Sequence, residues 1–214
     1  MRPSACKVAS YKTVKGVDVA RRETSTDPRA VRTRETLIQS TIDLLREHRS
    51  EDLSVSQIVK VGGLSRQVFY EHFADRDALL LAAGEQMVNP ALQWAGEVSR
   101  GGIGPDRAVE RLFELIEPYR SALSNLCDGP VHWRLHSYGM SEVEPFLRAE
   151  LTEVLSKDGQ EVSESHLKNT SRFISCGVIA QFTDAIREGR SAEDARRVMR
   201  EIRETISVVT YKTP

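Results

Sequence analysis

The sequence predicts an all-α fold, and three features carry that expectation. From Arg32 onward apolar residues recur every three or four positions, the spacing that lines one face of a helix. Two short segments, each led by a serine cap, flank Gly62 and Gly63 and read as two helices joined by a tight turn. Between Leu167 and Val209 lie two long amphipathic seams.

Size and composition bound the function. With 214 residues, 40% apolar and 29% charged, the chain can build one or two globular domains with a sizeable core. No apolar run approaches the ~18 residues a membrane-spanning helix needs, and no leader pattern is present, so a cytoplasmic protein without a membrane partner is expected. Cys6, Cys127 and Cys176 are far apart and have no metal-ligand spacing, which fits reduced thiols. Net charge is −1, but residues 1–34 hold nine basic side chains against three acids, so that stretch is +6 and the remainder −7. A basic arm on an acidic body can steer one end of a protein to a polyanion. A solvated tail is the plainer reading of the same charges.

Residues 1–31 are expected to form that flexible arm, since 1–28 lack helical periodicity and contain Pro3, Gly16 and the turn-prone "STDP". A first helix follows from Arg32 to near Arg49, with Leu37, Thr41, Leu44, Leu45 and His48 inward and Ile38 and Ile42 widening the face. Such a broad face implies packing on two sides. Ser54 caps a short second helix with Ile58 and Val59 inward, and Gly62 and Gly63 end it. Ser65 caps the third, where Phe69 and Phe73 share one side and Gln67, Val68 and Glu71 the other, with Arg66, Tyr70 and His72 on the flanks.

Two short helices with a glycine turn and a polar outer face make a helix-turn-helix. Gln67 can bridge N6 and N7 of adenine, Val68 can meet a thymine methyl, and Glu71 can accept from cytosine N4. Tyr70, His72 and Arg76 are placed to bind phosphates, which set register without reading sequence. Arg34, Ser56 and Ser65 complete the candidate DNA-contacting set. A helical bundle without DNA contacts would show much of the same pattern.

The run "LSVSQIVKVGGLSRQVFYEHFADRDALLLA" resembles the DNA-binding signature of the TetR family of one-component transcriptional regulators. The matching points are the amphipathic helix before it, Gly62–Ser65, the Phe69-Tyr70-x-His72-Phe73 core, and Arg76 followed by Leu79. The resemblance implies a three-helix DNA-binding domain over 32–78 and an all-helical effector-binding and dimerisation domain over 79–214. It also implies a homodimer on a palindromic double-stranded operator, repression relieved by a small-molecule effector, and no catalysed reaction or cofactor. Gly62 stands where alanine is usual, Gln67-Val68 where a small residue and threonine are usual, and Arg76 where lysine is usual, so no operator sequence carries over.

In the body, a helix from Asp75 or Arg76 runs past Trp94 to "SRGGIGP", and Pro105 opens the next, with Val109, Leu112, Phe113 and Ile116 inward. "CDGP" marks a turn, and Pro145 is expected to start a helix with Phe146, Leu147, Leu151, Val154 and Leu155 inward. Trp94, Phe113, Trp133, His136, Phe146 and Phe173 are candidates to line an effector pocket, because aromatic walls with a few polar points suit small apolar ligands. The dimer seam is expected at Ile174, Gly177, Val178, Gln181 and Phe182 on one helix and Met199, Ile202 and Ile206 on the last. A monomer could instead bury both seams internally.

Rival classes are weaker. His132 and His136 stand one turn apart without a third metal ligand, and Cys127 with His132 is a nucleophile–base pair without motif context. A body that docks a protein partner, or an activator in place of a repressor, fits the same residues.

Overall fold

Asp27 and Pro28 open helix α1 (Pro28–Leu45). The Asp27 carboxylate accepts from the Arg29 amide at 3.0 Å, and Pro28 occupies the first turn, where its missing N–H leaves no bond unmade. The computed structural model describes residues 27–101, 105–157 and 162–211, and every regular element among them is helical. The basic arm over 1–26 lies outside the described residues, while 28–31, expected to belong to it, are helix. Asp-Pro is thus a cap and an N1 residue here, and the expected start at Arg32 is corrected to Pro28. The helix also stops at Leu45, short of Arg49, leaving His48 exposed.

A single 3-10 turn, Ser50–Asp52, leads to α2 (Val55–Val61). Ser54 and Gln57 cap α2 reciprocally: the Gln57 amide donates to Ser54 Oγ at 3.3 Å, and the Ser54 amide donates to Gln57 Oε1 at 2.8 Å. Gly62 keeps a helical φ of −74°, and Gly63 alone, at +62°, makes the left-handed exit. Helix α3 (Arg66–His72) starts at its Ser65 cap, which accepts from the Val68 amide at 3.2 Å. Phe73 is extended and lies just past the helix end.

Helix α4 (Arg76–Gly101) then runs unbroken across the expected domain boundary at 78/79. The body continues with α5 (Pro105–Ile116), a 3-10 turn over Glu117–Tyr119, α6 (Arg120–Cys127), α7 (His132–Lys157), α8 (Glu164–Arg187) and α9 (Ala192–Tyr211). Pro145 does not start a helix, because α7 passes through it as α4 passes through Pro90. Both prolines face solvent, where water can satisfy the carbonyl that loses its amide partner. Val154, expected inward, is half exposed.

One core joins the three-helix head to the body. It runs from Leu37, Ile58, Phe69 and Phe73 through Leu80 and Met87 to Leu123, Leu126, Leu135 and Ile186. Helix α1 packs on α2, α4 and α6, as its broad apolar face predicts. The side chain of Asn125 on α6 donates to the Leu45 carbonyl at the end of α1, at 2.8 Å. Gly84 lets α6 and α7 lie close against α4, since a Cβ there would stand 2.9 Å from both Leu126 and Leu135. Among the described residues no helix is long and apolar enough to cross a membrane.

Candidate nucleic-acid interface and body cavity

The outer face of α3 is built by the burial of its inner face. Phe69 and Phe73 are fully buried with ring centroids 6.1 Å apart, and the guanidinium of Arg34 sits 4.8 Å over the Phe73 ring. Arg66 and Gln67 are exposed, Tyr70 is 48% exposed with its ring edge-on to Phe69, and Val68 and Glu71 are half buried beside them. Ser65 is exposed but its hydroxyl is engaged in capping. Ser56 and Lys60 are exposed one turn apart on α2, so Lys60 adds a cation that the helical spacing would have revealed.

Two expected phosphate contacts are placed differently. His72 is 3% exposed and belongs to the core, since Phe69, His72 and Phe73 stand at i, i+3 and i+4 on one face. Arg76 turns inward: its guanidinium donates to the carbonyls of Glu51 at 3.3 Å and Leu53 at 3.0 Å, and pairs with Asp77 at 3.2 Å. It ties the start of α4 to the segment before α2. Arg34, over Phe73, is likewise part packing and part surface.

In the body, α4, α5, α6, α7 and α8 line a partly open cavity of about 140 Å³. Its walls are mainly aliphatic, with Cys127, His132, His136 and Thr183 as the polar points. Burial pushes the Cys127 thiol up to about 11, so it stays protonated. Burial, and then the neighbouring His132, hold His136 below the ordinary imidazole value. The His136 ring stacks on Trp133 at 5.3 Å and its Nε2 lies 3.8 Å from Cys176 Sγ on α8. Among the described residues no group of three or more His, Cys, Asp or Glu is arranged to hold a metal.

Of the six aromatic candidates, His136 lines this cavity and the others do not. Trp133 and Phe173 are 67% and 77% exposed, because they point outward from α7 and α8. Trp94 is half buried beside the lining residues Leu92 and Ala95. Phe113 is buried in a separate cluster with Phe182, Ala185 and Ala195, under the guanidinium of Arg120. Phe146 packs on Gly96 of α4. The aliphatic side chains that do form the walls carry no chemical signature in sequence.

The residues of the expected dimer seam take several positions within the chain. Val178 and Phe182 line the cavity, and Gln181 and Met199 pack in the α8–α9 crevice. Ile174 and Ile202 are half buried, and the Ile206 side chain lies outside the described residues. Gly177 faces open space, and Phe173 stands one turn before it.

No family model matches the chain, and no curated protein matches it. Solved structures do. A protein of Pseudomonas aeruginosa PAO1, provisionally assigned as a transcriptional regulator, superposes with a TM-score of 0.61 at 15% identity over 89% of this chain and 96% of its own. A regulator of Syntrophomonas wolfei, provisionally assigned to the TetR family, gives 0.61 at 12% identity over 83% and 96%. The chain has the TetR-type fold. The TetR-like head and body are both spanned by these matches. A further match to this fold is the dihydroxyacetone kinase operon activator DhaS, with a TM-score of 0.54 at 14% identity over 83% and 98%.

Proposed function

We propose that this protein is a sequence-specific transcriptional regulator of the TetR family, acting as a homodimer on a palindromic operator in the cytoplasm. The observation that carries the reading is the outer face of α3, where buried Phe69 and Phe73 leave Arg66, Gln67 and Tyr70 exposed behind a glycine turn. Gln67 and Val68 read base edges, while Arg66, Tyr70, Ser56 and Lys60 hold phosphates. The basic arm adds contacts to the backbone or minor groove.

Dimerisation uses the outward face of α8. Phe173 and Gly177 form an exposed apolar-and-small stripe on that helix, and α9 lies beside it. A twofold axis through this face sets the spacing of the two α3 helices, which reach successive major grooves when about 34 Å apart.

Helix α4 couples ligand to DNA. Val88, Ala91, Leu92 and Ala95 form one wall of the cavity, while Arg76 at its other end grips the head. A ligand that fits the cavity better in one α4 position shifts the dimer between DNA-competent and DNA-incompetent forms, and linkage makes that coupling reciprocal. Repression relieved by ligand is the simplest use of such a device. Activation is the second reading, favoured by the activator name of DhaS. The test is operator binding with wild type and Gln67→Ala: a shifted base preference supports base reading, and equal losses on specific and nonspecific DNA contradict it.

A further inference from the structure

We propose that the body cavity takes a small uncharged ring compound, the size of a lightly substituted monocycle, carrying one hydroxyl or carbonyl group. The proposal names the effector class for the regulatory site described above and rests on that reading.

Size comes from volume. The cavity of about 140 Å³ is close to the ~150 Å³ of an engineered apolar protein cavity that accepts benzene. Neutrality comes from the walls. Leu92, Leu112, Leu135, Ile179 and Ile186 dominate them, and among the described residues no Asp, Glu, Lys or Arg lines the cavity. A carboxylate, phosphate or ammonium would enter without a counter-charge, at a cost far above what a monocycle's contacts return.

The single polar group comes from the few polar points. Cys127 is protonated and behaves as a small hydrophobe. The Thr183 hydroxyl already donates to the Ile179 carbonyl at 2.9 Å, so it offers an acceptor lone pair. His136 is 8% exposed and neutral, and Trp133 stacked at an interplanar angle of 11° fixes its ring. A ligand hydroxyl or carbonyl therefore meets a preoriented imidazole, and the rest of the molecule meets hydrocarbon.

The experiment measures binding of phenol, cyclohexanol, benzoate and benzylamine to the full chain by calorimetry and thermal shift, first without DNA. Phenol and cyclohexanol are expected to bind and raise Tm, and the two charged probes are not. Ala91→Leu, which pushes a larger side chain into the cavity, should weaken phenol by about tenfold or more with helicity unchanged. Val178→Leu serves as the second filling variant if Ala91→Leu fails to fold, and Val154→Ser on the exposed face of α7 should bind phenol as wild type does. Charged probes binding as well as neutral ones, neither neutral probe binding at millimolar concentration, or a folded filling variant with wild-type phenol affinity would overturn the proposal. The same titrations with operator present separate the two readings. Phenol binding that leaves DNA affinity unchanged upholds the ligand class and sinks ligand control, whereas release of DNA by a charged probe alone does the reverse.

Discussion

Helix α3 in the head and helix α8 in the body each have an inner and an outer face, and the sequence resolves the two cases differently. On α3 the pattern places Phe69 and Phe73 inside and Gln67 outside, as observed. On α8 the pattern names Val178 and Phe182 as the outer seam, yet both line a cavity, while Phe173, assigned to a pocket, is 77% exposed. The difference is one of neighbours. A seven-residue helix between a glycine turn and a tight loop has one possible core side, so local spacing determines its orientation. A twenty-four-residue helix with apolar residues on both sides can be turned either way, and the packing of α6, α7 and α9 decides.

The largest expected effect separates the two regions outright. Phe69→Ala empties the centre of the head core and should cost about 3–5 kcal/mol there, abolishing DNA binding. If the body is the more robust unit, calorimetry will show loss of an early transition with most helicity retained. Because one core runs from head to body, a single transition lowered as a whole would show instead that the two regions fold together.

Arg76→Ala tests whether that residue is a strut or a phosphate contact. Losing its bonds to Glu51 and Leu53 should destabilise the chain by about 1–3 kcal/mol and weaken DNA binding, yet leave the salt slope of binding unchanged. Arg66→Ala, exposed on α3, should do the opposite, lowering the slope by about 1 with stability intact. Exchange of those two outcomes would return Arg76 to the DNA surface.

A smaller effect concerns α7 and α8. The Ser171 hydroxyl donates to Glu144 at 2.8 Å and, ahead of Arg148, holds the Glu144 carboxyl below its ordinary value. A depressed carboxylate stabilises the fold above its unfolded pKa, and that contribution fades as pH falls through the lower folded value. Ser171→Ala should therefore cost about 1 kcal/mol at pH 7 and progressively less in acid, read by urea unfolding across pH. A cost that is the same at both ends of the range would assign the effect to packing alone.

Legibility follows from how local each signal is. The caps at Ser54, Ser65, Ser163 and Ser191 are confined to a single turn, and those at Ser54 and Ser65 are legible beside the glycine turn between α2 and α3. Asp27-Pro28 is the same kind of signal, but it follows a stretch without periodicity, so its turn-prone residues suggest a loop and not a helix start. His72 and Arg76 misled for another reason. Polar side chains beside a recognition surface suggest contact with DNA, and only tertiary structure shows one buried and the other bound to carbonyls. The cavity was least legible, since Ala91, Leu135 and Ile179 look like any core residues until the space between them is seen.

The central claim is that the outer face of α3 reads DNA for a twofold dimer. Its most direct test is selection of bound fragments from random DNA at fixed salt, with wild type and Gln67→Ala sequenced side by side. The account predicts a palindrome whose half-sites lie about one helical turn apart, with preference relaxed at matching positions of both halves in the variant. No enriched motif, or an enriched motif that Gln67→Ala leaves unchanged, would contradict it.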